Sequence, residues 1–251
     1  MEVSAIEFRL RMLINLVIIL LGFWAPWLPP VGPATGFAPH ISLLEWFALQ
    51  LSRSGLVNFN AAASTVIVAG ALLAAIGALL RVSGSAYLGA GTVQSFEMRA
   101  VAVMASGPYR YVRNPLYLGL WFMVTAIVFL MPPSGALVTM LLITLFQVRL
   151  ILGEEAFLAA QLGEPYVAYR RAVPRLIPRL RGAPAAVPVK PQWLRAIFSE
   201  LTPVGVFVAL AFFSWTYDNR LMARVVLIAF GASLVARAFV PRAPTERPLE
   251  G

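Results

Sequence analysis

Residues 115–130 and 135–152 are apolar runs of helix length, separated only by Met131-Pro132-Pro133-Ser134. So short a connection makes the two helices antiparallel neighbours. Whatever precedes the first run must then lie at the same end of the hairpin as whatever follows the second. The preceding stretch is basic and aromatic, Gly107-Pro108-Tyr109-Arg110-Tyr111-Val112-Arg113-Asn114-Pro115, and the following one is Gly153-Glu154-Glu155. Two polar clusters distant in sequence are therefore expected to be neighbours at one membrane surface. That neighbourhood is the candidate functional site.

The chain is 60% hydrophobic and only 12% charged, with a mean hydropathy of +0.80. A soluble domain is roughly half apolar and about a quarter charged, so the composition is that of a membrane protein. The apolar runs are 12–28, 61–80, 115–130, 135–152, 201–215 and 225–240. They predict an all-α, polytopic membrane helical bundle of about six transmembrane helices. The first run has Arg9 and Arg11 before it and Trp24 and Trp27 towards its end. No small-residue cleavage site follows, so a membrane helix is expected rather than a leader. The hairpin spans, at ~25 Å from 1.5 Å per residue, fall short of a full hydrocarbon thickness.

Between the spans, Leu43, Leu44, Phe47 and Leu51 have the spacing of a surface-lying helix at 41–51. Residues 81–114 read as a mixed loop. Helical stretches are expected at 154–162 and 166–172, with Gly163 and Pro165 stopping the first. A Pro/Arg-rich linker follows. Three sections result: N-terminal helices (1–80), a core with the hairpin and the polar clusters (81–180), and a linker with two further helices (181–251).

Seventeen of the 20 basic residues fall on one side of this topology, leaving Arg53, Arg220 and Arg224 on the other. By the positive-inside rule the crowded side, with both termini, is cytoplasmic, as in a bacterial-type inner membrane. The same placement explains the net charge of +9 without nucleic acid. The absence of Cys excludes thiolate chemistry and disulfides. His40 is the lone histidine, so no His-rich metal site is expected, and it reads as an interface residue.

Each motif has two readings. In Arg113-Asn114-Pro115, Asn suits a helix cap, Pro the first helical position and Arg the membrane interface. The same helix start offers N–H groups that hold carboxylate or phosphate. Glu154-Glu155 fits the first turn of a helix, yet adjacent acids at the end of an apolar hairpin also suit an ammonium or sulfonium ligand. Gly89-Ala90-Gly91 is a lone glycine pair that says little about dinucleotides.

Taken together, the motifs resemble the isoprenylcysteine carboxyl methyltransferase and phospholipid N-methyltransferase superfamily. The matching residues are Gly107-Pro108-Tyr109, Arg113-Asn114-Pro115-Leu116-Tyr117-Leu118-Gly119, Glu154-Glu155-Ala156-Phe157-Leu158, Gly163-Glu164-Pro165-Tyr166-Val167-Ala168-Tyr169 and Val173-Pro174. Order and spacing agree over roughly residues 80–180.

The resemblance implies a membrane methyltransferase that uses S-adenosylmethionine (SAM) and a lipid-like or isoprenoid acceptor. It implies that Tyr109, Asn114, Pro115, Leu116, Tyr117 and Glu154 line the cofactor pocket. Gln94, Val101, Ala102, Val103 and Met104 would be further contacts upstream, with Gly119 and Glu155 in support. Asn114 stands where the family usually has His, so it can hydrogen-bond but cannot titrate near neutrality. Leu150 stands where the prenylcysteine enzymes have a substrate-contacting Arg, which argues against a prenylcysteine carboxylate. No residue is assigned as the general base. A sterol-type membrane reductase using NADPH and a polytopic protein without chemistry are the alternatives.

Overall fold

The computed structural model describes residues 5–24, 41–88, 106–179 and 189–239, and all its regular elements there are helical. In chain order they are α1 (Ala5–Trp24), α2 (Leu43–Arg53) and α3 (Phe59–Leu88), then a 3-10 turn (Gly107–Arg110). There follow α4 (Pro115–Val128), α5 (Pro133–Leu162), α6 (Glu164–Ala172), α7 (Trp193–Ser199), α8 (Leu201–Thr216) and α9 (Asn219–Phe239). The helical membrane class read from the sequence is the class observed.

Among the described residues, α3, α5 and α9 each contain a stretch long and apolar enough to cross a membrane. The pair α7–α8 passes the same test together but bends by 73° at its break, while α1 and α4 are shorter apolar helices. Three, or four with the bent pair, of the six expected spans are thus matched among the described residues.

The central contact is α3 against α4, and glycine makes it close. A Cβ on Gly119 would stand 2.8 Å from the Gly77 carbonyl oxygen, and one on Gly77 would stand 2.7 Å from that of Gly119. Without Cβ atoms the two backbones approach directly, which favours packing where lipid offers no hydrophobic drive. Buried Ala74, Ala78, Met123 and Ala126 continue this seam to Val206 and Leu210 of α8. On the other side of α4, Val124 and Val128 pack with Ala136 and Ile143 of α5 and with Ile18 and Ile19 of α1.

At the end of the bundle formed by the 131–134 turn, α2 closes the hairpin. The backbone N–H groups of Leu43 and Leu44 donate to the carbonyls of Met131 and Phe129, both at 2.7 Å. The open start of α2 thereby satisfies carbonyls left free at the end of α4. Ser42 and Glu45 form a reciprocal cap on α2, a Ser-x-x-Glu signature the sequence carried openly. Arg53 and Arg220 belong to this end, where the hydroxyls of Ser64 and Tyr217 also meet.

Several sequence expectations are corrected. α3 does not stop at residue 80 but runs on to Leu88, so residues 81–88 are helix, not loop, and the boundary drawn at 80 falls inside it. Arg81 and Ser85 are tolerated there because both meet Glu200. The second hairpin helix is not short: α5 is a single 30-residue helix from Pro133 to Leu162. Gly153 does not break it, so 154–162 is no separate helix and Glu154-Glu155 does not occupy a first turn. The break comes at Gly163, whose φ of +60° suits glycine, and Pro165 sits in the first turn of α6 rather than ending α5. The stretch 25–40, with Trp27 and His40, lies outside the described residues.

Candidate functional site

The start of α1, the end of α3, the start of α4, the end of α5 and the α7–α8 break are brought together by ion pairs. Glu7 of α1 pairs with Arg149 of α5 at 3.2 Å, and Arg11 approaches Glu154 at 3.8 Å. Arg81 of α3 pairs with Glu200 at 2.7 Å. The basic-aromatic entrance and the two glutamates thus share one end of the bundle.

Glu155 is the latch of this end. It is buried at 3% exposure and receives Arg175 Nη2 at 2.9 Å, Arg113 Nη1 at 3.5 Å and Asn114 Nδ2 at 3.3 Å. Asn114 also donates to the Arg175 carbonyl at 3.2 Å. Asn114 does precede α4, but its side chain makes no cap bond to the helix. It reaches sideways to the carboxylate instead, because a buried acid is the stronger acceptor. The 173–179 segment then straps over the entrance, with Arg113 N–H on the Pro174 carbonyl at 2.9 Å and Arg179 N–H on that of Tyr111 at 2.8 Å.

Glu154, one residue earlier, points differently. Its side chain is 33% exposed, and Arg11 at 3.8 Å is its ion pair. The Tyr117 hydroxyl lies beside it, close enough for electrostatic coupling, but the buried oxygen completes no hydrogen bond in full geometry. Glu155 is committed to three partners, whereas Glu154 keeps capacity for a ligand.

Tyr109 is buried, and the charges around it are Glu154, Glu200 and Arg81. Its turn depends on Gly107, at φ +50°, where a Cβ would strike the Tyr87 ring at 2.4 Å. Tyr169 Oη donates to the Tyr109 carbonyl at 2.8 Å, fixing α6 beneath the turn. Burial lifts the Tyr109 and Tyr169 hydroxyls well above the ordinary phenol range. Burial first, then the Glu155 charge, pushes Tyr166 up to about 12. The hydrogen bond to Glu155 raises Arg175. These phenols therefore stay protonated and are not bases, and the Tyr169 hydroxyl is a donor.

Pro115 and Leu116 form the first turn of α4, and the Leu116 carbonyl takes Arg81 Nη1 at 3.3 Å. Gly119 lies one turn further, against Gly77 and Arg81. Gln94, Val101, Ala102, Val103 and Met104 lie outside the described residues, as do Gly89-Ala90-Gly91.

Sequence reasoning gave no role to Arg11, Arg81, Arg175 or Glu200. Glu200 carried a usable signal, a lone acid bordering an apolar run. Arg175 carried none beyond its place after Val173-Pro174.

Residues 65–164 match the family described as phospholipid methyltransferase. The chain carries a phospholipid methyltransferase domain. That domain is part of the superfamily of integral membrane methyltransferases to which the isoprenylcysteine enzymes also belong. No curated protein and no solved structure matches the chain. The matched domain holds most of α3, the 3-10 turn, α4 and α5, and with them Arg81, Tyr109, Arg113, Asn114, Tyr117, Glu154 and Glu155. Arg11, Arg175 and Glu200 come from outside it, so its polar end is completed by helices the family segment does not include.

Proposed function

We propose that this protein transfers a methyl group from SAM to a lipid-like or isoprenoid acceptor at the cytoplasmic face of a membrane. The observation that carries the reading is the meeting of Tyr117 and Glu154 at one end of the hairpin, with Glu154 still open to a ligand. SAM carries an ammonium, a carboxylate and a methylsulfonium. The residues present suit those groups. Glu154 is the carboxylate able to take the ammonium, since Glu155 is engaged by Arg113, Arg175 and Asn114. The N–H groups of Leu116 and Tyr117, not capped by Asn114, suit the carboxylate. Tyr109, between Glu154 and Arg81, would wall the pocket.

The cofactor supplies a methyl already bonded to a good leaving group. The chain's part is to orient: Glu155 holds Arg113, Asn114 and Arg175 so that the start of α4 keeps its place, and Arg81 fixes the Leu116 carbonyl. Positioning of this kind supplies much of the rate of such a displacement. The excess of basic residues at this end supports a cytoplasmic orientation, on the side where SAM is available. Gln94 and residues 101–104 are kept as further cofactor contacts on the strength of the resemblance, and the three sections are kept as a proposal with the first boundary moved to the end of α3.

A reductase using NADPH is the less favoured reading. Arg81, Arg113, Arg149 and Arg175 each already face a carboxylate. These four cations are thus already engaged rather than held in reserve for a polyanionic cofactor. Calorimetry on detergent-purified protein with each cofactor tests this. SAM binding is expected, weakened about ten- to a hundredfold by Glu154→Gln through loss of a charge-assisted hydrogen bond. NADPH binding, or SAM binding indifferent to Glu154, would remove the assignment.

A further inference from the structure

Three helices meet at the apolar layer of Ile18 and Ile19 of α1, Leu120 of α4 and Ile143 of α5. One turn towards the polar end, each helix presents a polar residue on the same face: Asn15 (three before Ile18), Tyr117 (three before Leu120) and Gln147 (four after Ile143). The register agrees along the helices. Trp121 of α4 bonds Thr144 of α5 at 3.2 Å, and Gly22 of α1 lies against Thr139 of α5. Antiparallel pairing then brings Tyr117 and Asn15 to the level of Gln147.

Asn15 is 7% and Gln147 4% exposed. Asn15 Oδ1, Gln147 Nε2 and Tyr117 Oη are all buried without a hydrogen-bond partner. A buried polar atom without a partner is destabilising, because its lost hydration is not replaced. Tyr117 Oη has the Glu154 carboxylate beside it, whereas Asn15 Oδ1 and Gln147 Nε2, on the same layer, have no such neighbour and call for a ligand.

We infer that Asn15, Gln147 and Tyr117 form a binding subsite for the uncharged, hydroxyl-bearing head of an amphiphile. The three supply a hydrogen-bond acceptor, a donor and a group that is either, which one hydroxyl satisfies at once. The charge beside the layer is the Glu154 carboxylate, next to the Tyr117 hydroxyl, and it disfavours an anionic head. Arg11 is a turn further out on α1 and approaches Glu154, and Arg149 turns away to Glu7. A phosphate or carboxylate would be desolvated here without a cation. The outer faces of α1 and α5 at this level are apolar and exposed, at Leu16, Val17, Leu145 and Val148, so the ligand arrives from lipid with an apolar tail. The inference rests on the methyl-transfer reading in one respect: under it, the occupant lies beside the methyl donor held at Glu154.

The test uses the full chain in lipid nanodiscs and a long-chain alcohol bearing a photoreactive diazirine beside its hydroxyl. Cross-linking is expected on peptides of α1, α4 or α5 that contain Asn15, Tyr117 or Gln147. Unlabelled long-chain alcohol should compete and a fatty acid of equal length should not. The variant Asn15→Leu/Gln147→Met should lose about tenfold or more of the labelling, two hydrogen bonds' worth, while still melting at or above the parent temperature. Labelling unchanged in that variant, or equal competition by the acid, overturns the inference. So does a variant that melts higher with no change in labelling, since the layer then encloses only water. SAM calorimetry on both proteins separates the failures: loss of SAM binding in the parent would sink the methyl-transfer reading and leave the labelling result to decide the subsite.

Discussion

Replacing Glu155 by alanine removes the carboxylate that joins the end of α5 to the start of α4 and to the 173–179 strap. Arg175 contributes the shortest contact, 2.9 Å, but its side chain is 39% exposed and water would replace much of the interaction. Arg113 dominates the effect. Its side chain is 10% exposed, its Nε already lacks a partner, and after the substitution its guanidinium would be buried without a counter-ion. Breaking a buried pair from one side is destabilising by about 3–5 kcal/mol, and the exposed partner argues for the lower figure. At ~2–4 °C per kcal/mol for a chain of this size, about 3 kcal/mol lowers the melting temperature by ~6–12 °C. Thermal unfolding followed by tryptophan fluorescence in one fixed detergent measures it. Glu154→Ala is the control. Its carboxylate is one-third exposed and loosely paired, so it should leave the melt nearly unchanged while weakening SAM. If Glu155→Ala melts within a degree or two of the parent, or if Glu154→Ala is the more damaging to stability, the division of labour between the two acids is wrong.

Glu200→Ala should also destabilise by about 3–5 kcal/mol, because Arg81 at 2.7 Å and Ser85 at 2.6 Å both lose their partner; chemical denaturation in mixed micelles would show it. Gly119→Ala puts a methyl 2.8 Å from the Gly77 carbonyl oxygen, and overpacking of this kind lowers stability by ~1–3 kcal/mol, read as a lower melting temperature. Tyr166 is raised from 10.0 to about 12 in the fold, so the folded state holds its proton more tightly. Its contribution to stability is complete below pH 10.0 and lost as pH rises towards 12. Ultraviolet titration of folded protein should show the Tyr166 phenolate appearing towards pH 12 rather than near 10.0; a Tyr166 phenolate signal from folded protein near pH 10.0 would contradict it.

The sequence by itself determined the class and the meeting place. Apolar runs of helix length admit only helices in lipid, since each backbone group must be satisfied within its own segment. The short 131–134 connection folds its two runs back on each other, so Tyr117 and Glu154 had to share an end. What the sequence did not determine was which acid is free. Glu154 and Glu155 are adjacent and identical in type, and nothing local separates them. Consecutive helical residues point about 100° apart, and only the packing of α1, α4 and the strap shows that Glu155 faces Arg113 and Arg175 while Glu154 faces Arg11 and Tyr117. Gly153 was misleading for the same reason: helix propensity is a weak local preference, and packing on α1 and α4 carries α5 through it to Gly163. The Arg81–Glu200 pair, 119 residues apart, and the polar layer of Asn15, Tyr117 and Gln147 exist only where separate helices meet. No spacing along the chain encodes such a meeting, because it depends on the rotation of each helix about its own axis.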